Sequence, residues 1–195
     1  MNVFELRDPG SLRLRTHPWT ESETQAGARY WNLRAHPEQI RSHLEDLVPF
    51  ADQSAIEEFF QILEWLNGPS SPLESNDCAF TGVVPNSGTM VEAELEASGR
   101  LMVLFRDLRK NLQIDAVGEL TQTLAMALHE LDPGMTAGAV GVSIVPVRYL
   151  QLQGDGHQLM LSFWAWGNTE TETWDNLHRT LSNLRTALQS LTGGG

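Results

Sequence analysis

A chain of 195 residues with 41% hydrophobic and 19% charged residues is long enough to bury a core without staples, and too apolar to be largely disordered. One cysteine, Cys78, excludes an internal disulfide and points to a reducing, cytoplasmic setting. The net charge of −12 is concentrated: from Ser42 to Gly99 there are eleven acids (Glu45, Asp46, Asp52, Glu57, Glu58, Glu64, Glu74, Asp77, Glu92, Glu94, Glu96) and no lysine or arginine, which disfavours nucleic acid or anionic membrane and favours a basic partner.

Along the chain, Leu12 and Leu14 alternate with Arg13 and Arg15 as in a short strand, and a polar loop follows from Thr16 to Gln25. Pro37 suits a helix start, Ile40, Leu44, Leu47 and Val48 repeat at helical spacing, and Pro49 ends that helix. A second helix opens at Ser54, where Ser54 and Glu57 fit a capping box. It carries Ile56, Phe59, Phe60, Leu63 and Leu66 inward and stops at Asn67-Gly68-Pro69, completing an N-terminal helical hairpin.

The period then changes from 3.6 to two. Cys78, Phe80, Gly82 and Val84 predict one strand, and Val91, Ala93 and Leu95 alternate with Glu92, Glu94 and Glu96 in a second. A tight turn at Ala97-Ser98-Gly99 leads to a third strand, Leu101 to Phe105. A helix capped by Asp115 runs to Glu130 with Val117, Leu120, Leu124, Leu128 and Leu131 inward. A further hairpin joins Ala139–Leu150 to His157–Trp166 through Gly154-Asp155-Gly156. The last helix, capped by Thr169 and Glu172, buries Trp174, Leu177, Leu181, Leu184, Leu188 and Leu191, and Gly193 to Gly195 fray. The reading is one α+β domain over 1–195, with a strand, loop and helical hairpin in 1–72. Over 73–192 it places an antiparallel sheet of two consecutive strand-strand-helix units, with two long helices on one face.

The chemistry is mostly absent. His129-Glu130 lacks the second histidine of a helical zinc motif, because position 133 is Pro133. No phosphate-cradling glycine loop, dinucleotide fingerprint or nucleophile elbow occurs, and Cys78 reads as a small buried hydrophobe. No catalytic residue, cofactor or metal is expected, and no apolar run spans a membrane. Two binding groups stand out. Glu92, Glu94 and Glu96 share one strand face, spaced about 6.5 to 7 Å, too far for one small cation. Trp164 and Trp166 share a face with Met160, opposite Phe163, so both faces of that strand are apolar. The leading expectation is a non-enzymatic acidic protein that binds a basic partner, as an inhibitor, immunity or chaperone-like factor. The alternative is an enzyme or small-ligand binder with a pocket on the open sheet face, lined by Trp164, Trp166, Arg148 and His157. A homo-oligomer subunit is the third reading.

Overall fold

The change of period along the chain becomes a mixed α+β architecture with one sheet of six strands. The computed structural model describes residues 1–5, 15–18, 30–88 and 90–191. The strand expected at Leu12 and Leu14, most of the loop after it and the terminal glycines lie outside the described residues. The elements are β1 (Asn2–Glu5), β2 (Arg15–His17), α1 (Ile40–His43), α2 (Ser54–Asn67), β3 (Leu73–Pro85) and β4 (Leu95–Phe105). They continue with α3 (Ile114–Leu131), β5 (Gly138–Tyr149), β6 (Gly154–Gly167) and α4 (Glu170–Ser190). The strands lie in the order β1-β5-β6-β4-β3, and β2 also pairs with β5.

β3, β4, β6 and β5 are antiparallel neighbours, but β1 and β2 run parallel to β5, so the sheet is mixed rather than antiparallel. β1 covers Ala139–Val142 of β5 and β2 covers Val147–Tyr149. Pro146, which has no N–H to offer a ladder, falls in the unclaimed stretch between them.

One face of the sheet carries the main core. Leu101, Val103, Val140, Val142, Leu159, Leu161 and Phe163 are buried there against α2, α3 and α4. Three long helices rather than two therefore share this face. The Phe59 ring of α2 meets Phe163 edge-on at 5.3 Å, and Phe50 and Phe80 lie 5.6 and 5.9 Å from Trp174 of α4. Leu131, expected inward on α3, is 42% exposed.

Four local expectations are corrected. The first arm of the helical hairpin is a single short helix, α1, because Leu44 leaves the helical region (ψ 89°) and its carbonyl receives the N–H groups of Leu47 and Val48. Ser54 is the first helical residue of α2 rather than its cap, and Glu57 turns to Arg41 instead of closing a capping box. Val91 to Glu94 form a loop, because Asn86 donates to the Val91 and Ala93 carbonyls at 3.1 and 2.9 Å and so occupies acceptors a ladder would need. Finally, Gly99 and Gly154 are strand residues: β4 runs unbroken through Ala97-Ser98-Gly99, and the β5–β6 turn is Leu150 to Gln153.

Gly99 serves close approach. It pairs with Phe80 on one side and Phe163 on the other, and a Cβ there would press on the Phe163 ring and lie 2.6 Å from the Ala79 carbonyl oxygen. Gly82 adopts φ +78° in the irregular stretch between Phe80 and Val83, beneath the Phe50 ring. Gly99→Ala is expected to cost about 1 to 3 kcal/mol by overpacking, and Leu184→Ala about 2 to 5 kcal/mol by leaving a cavity. Urea denaturation measures both, and unchanged midpoints would show that these contacts are not tight.

Candidate functional site: the polar seam across the second sheet face

The sheet's other face is built from the alternate residues of the same strands. Met102, Leu104, Val145, Val147 and Tyr149 are buried on it, and a small cluster of Leu104, Val147 and Tyr149 packs with Leu108 and Leu152. Polar side chains join them: Glu74, Asn76, Asp77, Arg100, Ser143 and Gln158. The register shift between Ser75 and Asp77 inserts Asn76 as an extra residue, which swings its amide across this face.

A hydrogen-bonded chain links strands that are not neighbours. His17 Nδ1 lies 2.7 Å from Asn76 Oδ1, and Asn76 Nδ2 donates to Gln158 Oε1 at 2.9 Å. Because the Asn76 amide nitrogen is spent on Gln158, its oxygen accepts, and His17 Nδ1 carries the proton. His17 Nε2 then faces Glu74 Oε1 at 3.5 Å, an ion pair when the ring is protonated. Arg34 Nη1 reaches the other Glu74 oxygen at 3.2 Å. Alongside, Asp77 accepts from Arg15 at 2.7 Å and from Arg100 at 3.1 Å. In a flat sheet β2 and β3 stand four strand positions apart, about 19 Å. Side-chain contact between them means that the sheet coils around this face.

Burial is deep. His17 is 5% exposed, Glu74 8% and Gln158 1%. Burial lifts Asp77 above the ordinary carboxylate value despite its two arginines, and burial with the Glu74 charge lifts Tyr30 and Tyr149. Arg106 donates to the carbonyls of Leu73, Leu66 and Gly68, and is pulled down by burial and by the charge of Arg34. Around these groups lies a cavity of 160 Å³ lined by His17, Tyr30, Asn32, Arg34, Glu74 and Arg106, with Pro18, Leu108 and Gln151 at its sides.

The residues singled out from sequence lie elsewhere. Glu92 and Glu94 are exposed in the β3–β4 loop, and only Glu96 is in a strand, so the three do not share a strand face. Among the described residues none of the three forms an ion pair. Trp164 is half-buried on the second face, and Trp166, of the same strand parity, is 2% exposed. The expected pocket lining does not assemble, because His157 alternates with Leu159 onto the helix side, and Arg148 pairs with Asp155 at the β5–β6 turn. His17, Glu74, Asn76, Gln158, Arg34 and Arg106 were invisible to motif reading. Their only sequence signal is the polar run Glu74-Ser75-Asn76-Asp77 entering a strand.

Much of the acidic tract is compensated internally. Arg41 pairs with Glu57 and Glu64, Arg185 with Glu58, Arg34 with Glu74, and Arg15 and Arg100 with Asp77. Cys78 is partly exposed as a residue but its thiol is enclosed, and that burial, with the nearby Asp77 and Asp46 charges, pushes the thiol up to about 12, so it is a poor nucleophile. Among the described residues no group of three potential ligands could hold a metal, and no helix is long and apolar enough to cross a membrane.

Compared with known proteins, the chain matches no protein family, no curated protein and no solved structure. The site therefore stands on its own geometry.

Hydrogen bonds from Arg41 hold Glu57 at about 2, well below its ordinary value of 4.5. A depressed carboxylate stabilises the fold above its unfolded value, and that contribution disappears as pH falls from about 4.5 through 2. Glu57→Gln is expected to lower stability at neutral pH and to flatten the loss across that window, read from urea midpoints at pH 2.5, 5 and 7. Parallel wild-type and variant profiles would show that the pair contributes nothing.

Proposed function

We propose that this protein binds a small polar ligand on the second face of its sheet, in the cavity where His17, Tyr30, Asn32, Arg34, Glu74 and Arg106 converge. One observation carries this reading. Two ionisable residues, His17 and Glu74, each more than nine-tenths buried as a whole residue, line a polar cavity instead of being replaced by apolar packing. Breaking or exposing such a pair is costly, and apolar residues of similar volume close a sheet at least as well. Converging polar groups around a concavity are the usual anatomy of a ligand site. The reading is of binding, because among the described residues the groups at the cavity are hydrogen-bonding and charged side chains without an activated nucleophile.

A basic protein partner is the second reading. It is favoured by Glu45, Asp46, Asp52, Glu92 and Glu94, which stay exposed and without an ion pair among the described residues. The residues Glu96, Trp164 and Trp166 would border rather than centre such a surface. We further propose, from the strand order, that β3-β4-α3 and β5-β6-α4 are two equivalent units facing each other across the β4–β6 boundary in one domain.

Saturation-transfer NMR of the full chain against a library of polar metabolites tests the first reading. At least one compound is expected to bind, and Gln151→Trp, which fills the cavity from its exposed wall, is expected to abolish the signal while leaving the melting temperature unchanged. If no compound binds, and a basic protein is captured whose association slows in Glu92→Gln/Glu94→Gln at low salt, the second reading replaces the first.

A further inference from the structure

We infer that the ligand of the cavity is a small organic anion. This rests on the ligand-binding reading above and adds the sign of charge and the size. Among the described residues, the cavity wall carries two permanent cations, Arg34 and Arg106, against one carboxylate, Glu74.

The hydrogen-bond inventory points the same way. Glu74 Oε2 accepts from Arg34 and Oε1 faces His17 Nε2 at 3.5 Å, so the carboxylate that the described residues place in the wall already has an arginine partner. Arg106 spends Nε and Nη2 on three backbone carbonyls, while its Nη1 has no partner among the described residues. Asn32 uses its side-chain oxygen to accept from the Ala35 N–H, and its amide N–H groups have no partner among the described residues. On Arg106 and Asn32 the unspent groups are therefore donors, one a guanidinium and one an amide. An anion supplies acceptors for them, and its charge offsets the repulsion that Arg34 exerts on Arg106.

Size narrows the class. A cavity of about 150 Å³ accommodates benzene, so 160 Å³ here suits a ligand of roughly six to nine non-hydrogen atoms. A carboxylate of that size offers charged acceptors to the remaining Nη1 donors of Arg106.

Isothermal titration of the full chain with benzoate, benzamide and benzamidine, three probes of one shape and three charges, and with succinate, tests the inference. Benzoate or succinate is expected to bind at least about tenfold more tightly than benzamide, with benzamidine weakest, because a charged hydrogen bond is worth roughly that factor. Arg106→Gln is expected to weaken anion binding by about tenfold or more, and Glu74→Gln to strengthen it by removing the one negative charge. If Arg106→Gln fails to fold, because it loses its ties to Leu66, Gly68 and Leu73, Asn32→Ala carries the same expectation with a smaller loss. Equal or tighter binding of benzamide or benzamidine, or no heat from either anion at 10 mM, overturns the anion inference. A neutral or cationic hit in the metabolite screen, lost in Gln151→Trp, would leave the ligand reading standing without it.

Discussion

The hydrogen-bonded chain from His17 through Asn76 to Gln158 is the constraint on which the second face of the sheet depends. It joins β2, β3 and β6, strands that the ladder order keeps apart, and it does so with side chains that are nearly all withdrawn from water. A coiled sheet brings those side chains into reach, and their bonds in turn hold the coil. Polar groups buried this way are strongly directional, since each unmade bond costs a desolvation penalty. The network is not closed: Gln158 Nε2 and Ser143 Oγ are buried without a partner among the described residues. That incompleteness sits on the same face as the cavity.

The two faces thus divide the labour. The helix side is a conventional apolar core, where Phe59, Phe163, Leu181 and Leu184 are excluded from water and shape complementarity forces glycine at position 99. The second side trades apolar burial for ion pairs and amides. Of the side chains at the cavity, Glu74 is held by β3 and His17 by β2, while Tyr30, Asn32, Arg34, Arg106 and Gln151 reach it from connecting segments at the strand ends.

Electrostatics follows from the same placement. Read along the chain, eleven acids stand without a cation, yet the fold brings Arg15, Arg34, Arg41, Arg100 and Arg185 to five of them. Every one of these arginines lies outside the acidic segment in sequence, so the segment's charge is largely a statement about which neighbours it acquires. The acids that have no ion pair among the described residues lie mainly in two loops, before α2 and between β3 and β4.

Local periodicity was enough to place α2, α3 and α4 and most of their buried stripes, because amphipathic spacing is a property of consecutive residues. Capping chemistry was legible at Thr169, whose hydroxyl accepts the Glu172 N–H at 3.2 Å, but not at Ser54, where Arg41 claims Glu57 from outside the helix. Turns were misread where glycine answers to a segment packed against it: at Gly99 it is the Phe163 ring of β6, and at Gly156 the Asn111 carbonyl from the turn after β4, that forbid a side chain. The candidate site was not legible. His17, Arg34, Glu74, Arg106 and Gln158 come from five separate segments, and nothing in their spacing announces that a coiled sheet will gather them. By itself the sequence determined the mixed α+β class, the apolar faces of three helices and an acidic middle. Which strands meet, which charges are answered and where a cavity opens were decided by tertiary structure, because each depends on residues that only folding brings within a few ångströms.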